Sequence, residues 1–248
     1  MKTAYVVRGL LLPLAFLLFP CPAPPVAAGD AETPLPVEKS SLLKDRETIY
    51  VLEGRKTIPA GVEITLQKGV RLVGRGGAVL VVEGQFVAHG IEGTRIDISG
   101  VTIVPGDEVQ QLHLDRCDFA GGGVVTEPDR STDGMITLEN CDFGDAPVDV
   151  AIRAGKVKLM SIQCGSVLRV RGVAPPDKRN KAEASIRTSS LRGGVDIQGV
   201  DDVTVRGNQI RGATAFFKDN RTLAFDANTI EAGTLAFEQS EAGNFKRT

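Results

Sequence analysis

One octet recurs along this chain and leaves little choice of fold. It reads IDISGVTI (96–103), LHLDRCDF (112–119), ITLENCDF (136–143), VKLMSIQC (157–164), ASIRTSSL (184–191), VTVRGNQI (203–210) and LAFDANTI (223–230). Its first, third and eighth positions are apolar or small, and its second and fourth are mostly polar. Such short alternating strings, separated by Gly, Asn or Asp, are the period-two signature of strands. The octets start 16, 24, 21, 27, 19 and 20 residues apart, a mean of about 21, within the range of stacked repeats. Most units add a second short apolar strand: Val124-Val125, Val148 and Val150, Leu168 and Val170, Val195 and Ile197, Ala215 and Phe217, Leu235 and Phe237. A unit of this size cannot bury its own apolar positions, whereas stacking it on its neighbours can, with strands about 4.8 Å apart. A β-sandwich would show turn signals every 8–12 residues or so without a recurring octet.

The spacing therefore predicts an all-β parallel solenoid of roughly eight to ten coils over 48–248. Less regular strings at Val62/Ile64/Leu66, Val70/Leu72 and Val79–Val82 read as opening coils. Ahead of them, Met1–Ala28 has the form of a secretory signal. Lys2 and Arg8 precede an apolar run of ten from Leu10 to Phe19, and Val26-Ala27-Ala28 is a small-residue cleavage site. Ten apolar residues are too few for a membrane span, which takes about 20. The expectation is an exported protein, periplasmic or extracellular. Residues 29–47 read as a flexible linker, with Pro34 and Pro36 favouring extended chain, and SSLLKDRE (40–47) as a short helix or cap.

Composition removes several functions. Lys and Arg number 29 against 31 Asp and Glu, for a net charge of −2, so the basic footprint of a nucleic-acid binder is missing. There is no Trp, and only two Tyr and two His, which leaves few rings for stacking on neutral sugars and few imidazoles for a multi-His metal site. The charge is uneven along the chain. Residues 29–150 carry 11 basic and 21 acidic side chains, and 151–248 carry 16 and 10.

Stacked octets turn sequence positions into columns. The fourth position reads Ser99, Asp115, Glu139, Met160, Arg187, Arg206, Asp226. The second reads Asp97, His113, Thr137, Lys158, Ser185, Thr204, Ala224. Carboxylates one rung apart repel unless a divalent cation or a raised pKa relieves them, so Asp97, Asp115 and Glu139 are candidate Ca²⁺ ligands, with His113 alongside. The expectation is that no cofactor is required and that Ca²⁺ is the ion such a column could hold, since zinc would want a CxxC that the repeat lacks. Arg187 and Arg206 can grip a carboxylate or sulfate bidentately, joined by Lys158 and by Lys178, Arg179 and Lys181 of the 172–184 loop. A solvated face of spread charges is the alternative for both columns. The acidic 126–134 loop leaves the coil at the same corner as 172–184, and the two are expected to flank a groove roughly 10 Å wide. Cys117 and Cys141 share the sixth position, one rung apart, as a disulfide or as two packed thiols. Cys164, at an eighth position, reads as a core thiol.

The pattern from about Ile58 to Phe237 resembles the right-handed parallel β-helix of the pectin-lyase-like superfamily, most of all in VTVRGNQI and LAFDANTI. The resemblance implies that Asn208 and Asn228 stack as a side-chain ladder in a turn. It says little about function, because that fold hosts lyases, hydrolases, adhesins and spacers. Polygalacturonase-like hydrolases carry Asn-Thr-Asp, Asp-Asp, Gly-His-Gly and Arg-Ile-Lys signatures. Only an Asp-Asp is matched here, at Asp201-Asp202 in a turn, and Gly-His-Gly and Arg-Ile-Lys are missing. A pectate-lyase-type site would need Asp97, Asp115 and Glu139 around Ca²⁺ with Lys158 or Arg153 as base. The expected function is a non-catalytic exported solenoid that binds or spaces envelope material, with an acidic polysaccharide as ligand. A small Ca²⁺-dependent polysaccharide lyase is the alternative, and a purely structural envelope protein a third.

Overall fold

In the computed structural model, which describes residues 31–44, 46, 48–173, 181–212 and 214–238, the chain is a parallel β-solenoid of about nine turns. Each turn visits a ten-stranded sheet and then a nine-stranded sheet, and from Gln163 onward a short four-stranded sheet as well. Every pairing between strands is parallel, and no helix occurs among the described residues. The nine-stranded sheet stacks Ser41–Leu43, Glu63–Gln67, Gln85–His89, Gln111–Asp115, Met135–Glu139, Gly155–Met160, Ala182–Arg187, Asp202–Arg206 and Thr222–Asp226.

Six of the seven octets sit in the expected register. Leu112 pairs with Ile136, Ile136 with Val157, Val157 with Ala184, Ala184 with Val203 and Val203 with Leu223. Their first and third positions point inward and are buried. They meet the second strands of each unit, where Val148 pairs with Val124 and Leu168, and Val195 with Leu168 and Ala215. The octet's fifth position turns the corner in the left-handed region: Arg116, Asn140, Ser161, Thr188, Gly207 and Ala227 all have φ between 49° and 67°. Only one of the six is Gly. The others carry a left-handed penalty of about 1–2 kcal/mol each, which the stacked turns on either side must offset.

The sixth position then points inward and supplies the expected ladder. Asn208 Nδ2 donates to Ile186 O (3.0 Å) and to Asn228 Oδ1 (2.9 Å), and Asn208 Oδ1 accepts from Ser189 N (2.9 Å). A second rung of the same kind lies at the next corner, where Asn220 Oδ1 accepts from Val200 N (3.0 Å) and Nδ2 donates to Ile197 O (3.0 Å). Each amide serves backbone groups that the bend leaves without a strand partner.

Two expectations are corrected. IDISGVTI does not stack on LHLDRCDF. The strand Ile96–Pro105 belongs to the ten-stranded sheet, pairing Ile96 with Cys117 and Asp97 with Asp118, and the residue beneath Leu112 is Phe86 of Gln85–His89. In these early turns the first half of a long strand occupies the place that the short sheet takes later, and Gly100, at φ 66°, bends it into the ten-stranded sheet. A Cβ on the neighbouring Gly74 would stand 2.3 Å from the Gly100 carbonyl oxygen, so the two bends nest only as glycines. A strand, a glycine bend and a strand thus produce the same alternation at two different corners.

The second correction concerns 29–47. Ala31–Pro34 pairs with Thr48–Val51, and Ser41–Leu43 with Ile64–Leu66, so the described part of that segment, 31–44, is the first turn of the solenoid. Leu35, Val37 and Leu43 are buried in the core. The prolines are compatible because an edge strand needs donors on one side only. Residues 1–30, which include the expected signal, and 239–248, expected to cap the far end, lie outside the described residues.

Candidate functional site

The outer face of the nine-stranded sheet is built from the octet's second and fourth positions and the residue before the octet. Register places Thr137, Lys158, Ser185 and Thr204 in one column and Glu139, Met160, Arg187, Arg206 and Asp226 in the next. Lys156, Glu183 and Asp202 form the third. Of these, Glu139, Lys156, Lys158, Met160, Glu183, Ser185, Arg187, Asp202 and Thr204 line a shallow depression of about 430 Å³.

Most of the charge on this face is spent on vertical neighbours. Lys156 Nζ pairs with Glu183, Lys181 Nζ lies 3.8 Å from Asp202 and Arg206 Nε 3.3 Å from Asp226. Arg206, expected to stack with Arg187 as a second anion grip, therefore has its own carboxylate one rung further on. Lys158 and Arg187 differ. Neither has a carboxylate within ion-pair distance among the described residues, and both are exposed. Arg187 Nε donates to Ser185 Oγ at 3.1 Å, which holds the guanidinium over the depression. Lys178 and Arg179 lie outside the described residues.

The proposed calcium ligands do not converge. Asp97 lies on the ten-stranded sheet between Arg71 and Asp118, away from Asp115 and Glu139. Asp115 and Glu139 are register neighbours as expected, but Asp115 is already engaged. Arg116 Nη1 donates to its Oδ2 and Asn140 Nδ2 to its Oδ1 at 2.8 Å. Repulsion along this column is thus answered by side chains of the same bends. Among the described residues no group of three or more His, Cys, Asp or Glu is disposed to hold a metal ion.

Beside these carboxylates stands a pair the octet alignment missed. His89 and His113 meet edge to face, with ring centroids 4.8 Å apart. His113 Nε2 is buried without a hydrogen-bond partner, 4.0 Å from Glu139 Oε2. Burial, with the neighbouring His89, pushes the His113 pKa down against the pull of Glu139 and Asp115. Only His113 was legible, because Gln85–His89 fell outside the octet alignment.

The 126–134 loop is not a free groove wall. Glu127 is bound by Arg55 and Arg130, Arg130 also reaches Glu83, and Asp133 is held by Arg153. Thr126 Oγ1 accepts from Ala151 N at 3.1 Å, and Thr132 bridges to Ile152 as an extra rung. Glu127 and Asp133 thus fasten the loop to the coil.

The chain matches no protein-family model, no curated protein and no solved structure.

Proposed function

We propose that this chain is an exported β-solenoid of the pectin-lyase-like kind that binds an acidic polysaccharide on the outer face of its nine-stranded sheet and does not turn it over. One observation carries the reading. Among the described residues, Lys158 and Arg187 are cations without carboxylate partners on a face where the neighbouring cations have them, and they border a depression lined by Ser185 and Thr204. An ammonium and a guanidinium on adjacent rungs suit one carboxylate or sulfate, with the planar fork of Arg187 setting its orientation. The hydroxyls suit the ring oxygens and hydroxyls beside that anion. Thioether packing from Met160 suits the apolar face of a sugar ring. The leader-like Met1–Ala28 supports export.

Calorimetric titration of the chain with oligogalacturonate, a sulfated oligosaccharide and a neutral oligosaccharide tests the proposal. The acidic ligands are expected to bind and the neutral one not. Lys158→Ala and Arg187→Ala are each expected to weaken binding by about tenfold or more, the scale of one charge-assisted contact. Equal binding of the neutral oligosaccharide, or affinity unchanged in both variants, overturns the reading.

A further inference from the structure

We propose that Cys117 and Cys141 are an oxidisable dithiol, closed into a disulfide by exchange with a small disulfide such as oxidised glutathione, that staples two turns of the solenoid across one bend. Both are free thiols, and their carbonyl and amide neighbours fix them side by side. Asp118 bridges Asp142 in parallel, Asp142 N donates to Cys117 O (2.9 Å), and Phe119 N donates to Asp142 O (2.8 Å). The next pair along, Phe119 and Phe143, stacks with centroids 4.5 Å apart, so the two rungs are in register through the whole bend. Stacked parallel neighbours lie about 4.8 Å apart, inside the roughly 4.4–6.8 Å Cα range that a disulfide spans. The two sulfurs lie against equivalent backbone carbonyls, Cys117 Sγ 3.7 Å from Asp115 O and Cys141 Sγ 3.2 Å from Glu139 O. The Cys141 side chain within hydrogen-bonding reach, together with burial, holds the Cys117 thiol well above its ordinary pKa.

The environment gives the two sulfurs different parts. Both thiols are buried, Cys117 at 0% and Cys141 at 1% exposure, but Cys141 borders an open depression of about 500 Å³ with Asn140, Asp142 and Gln163. Exchange therefore proceeds through local opening of the bend, and Cys141, beside the depression, is the first thiol reached. Its thiolate attacks the incoming disulfide and displaces one thiolate, leaving a mixed disulfide. Cys117 then attacks the Cys141 sulfur and displaces the second. Two protons and two electrons leave the pair, and the oxidant departs as two thiols. Cys164, buried one rung beyond Cys141 with its Sγ against Ser166, has no cysteine at its own column position among the described residues.

Side chains in one column point the same way, so bonding requires the two Cβ atoms to draw in to about 3.5–4.5 Å. A bond made this way is strained, and strained disulfides are the labile ones. The staple is expected to open at a less reducing glutathione ratio than an unstrained structural disulfide.

The full chain is equilibrated folded with oxidised glutathione, alkylated, and mapped by peptide mass spectrometry. A linked pair of peptides carrying Cys117 and Cys141, less two hydrogens, is expected, with a raised melting temperature. Cys117→Ser is expected to trap one glutathione on Cys141, and Cys141→Ser to leave Cys117 reduced. If Cys117 and Cys141 of the native wild-type chain both remain alkylatable after unfolding, the proposal is overturned. The same holds if Cys141 links to Cys164 instead. The wild-type result decides the matter even where a variant fails to fold.

Discussion

Asn208 and Asn228 share an amide–amide hydrogen bond of 2.9 Å between turns whose only relation in sequence is a common octet position. The same Asn208 amide closes two backbone groups, Ile186 O and Ser189 N, that lie in the rung below. It is buried at 1% exposure. Asn208→Ala removes all three bonds at once and strands a buried donor and a buried acceptor. Each stranded group costs about 1–3 kcal/mol, so a loss of roughly 2–5 kcal/mol in unfolding free energy is expected by urea denaturation. Asn228→Ala, at the more exposed last turn, is expected to cost less.

The extent to which such contacts were legible varies with the position. Ala184, Val203 and Leu223 were placed correctly because their octets keep strand, bend and strand at fixed offsets, and burial of one face fixes the register. IDISGVTI failed because Gly100 makes an equivalent bend at a different corner, and alternation alone carries no label for the corner. Pro34 misled in another way, since the extended chain it favours suits an edge strand as well as a linker. At the site, Lys158 and Arg187 followed from the columns. The pairing of Arg206 with Asp226 did not, because a long side chain chooses between the rungs above and below it. His89 was missed with its strand.

Ala227 turns its corner at φ 52°. Ala227→Gly removes a left-handed penalty of about 1–2 kcal/mol and adds roughly 0.4–1 kcal/mol of chain entropy to the unfolded state. A net stabilisation of about 0.5–1 kcal/mol is expected, read as a higher denaturation midpoint with an unchanged slope. A drop in midpoint would mean that the methyl group packs usefully there.

His113 makes stability depend on pH in a definite direction. Its folded pKa lies below the ordinary 6.5, chiefly through burial and then through His89, against Glu139 and Asp115, with Lys158 adding to the depression. The unfolded chain therefore takes up a proton more readily. This contribution is fully present above pH 6.5, is lost as pH falls through the folded value, and is constant below it. Thermal melts between pH 8 and pH 5 are expected to show this loss, and His113→Gln to remove that step. An undiminished step in the variant would assign it to other groups.

Binding through Lys158 and Arg187 is electrostatic at an exposed surface, so salt must weaken it. Affinity for oligogalacturonate is expected to fall steadily as ionic strength rises toward about 1 M, where the screening length is about 3 Å. Affinity that does not respond to salt would point to an uncharged mode of recognition.

The most direct measurement of the central claim is ¹H–¹⁵N shift mapping of the chain titrated with oligogalacturonate. The account predicts that the perturbed amides cluster on Lys158, Ser185, Arg187 and Thr204, which are far apart in sequence and contiguous on the outer face of the nine-stranded sheet. Perturbations centred instead on Arg169, Asp196 and Lys218 of the ten-stranded sheet, or a saturated titration that moves none of the four, would contradict it.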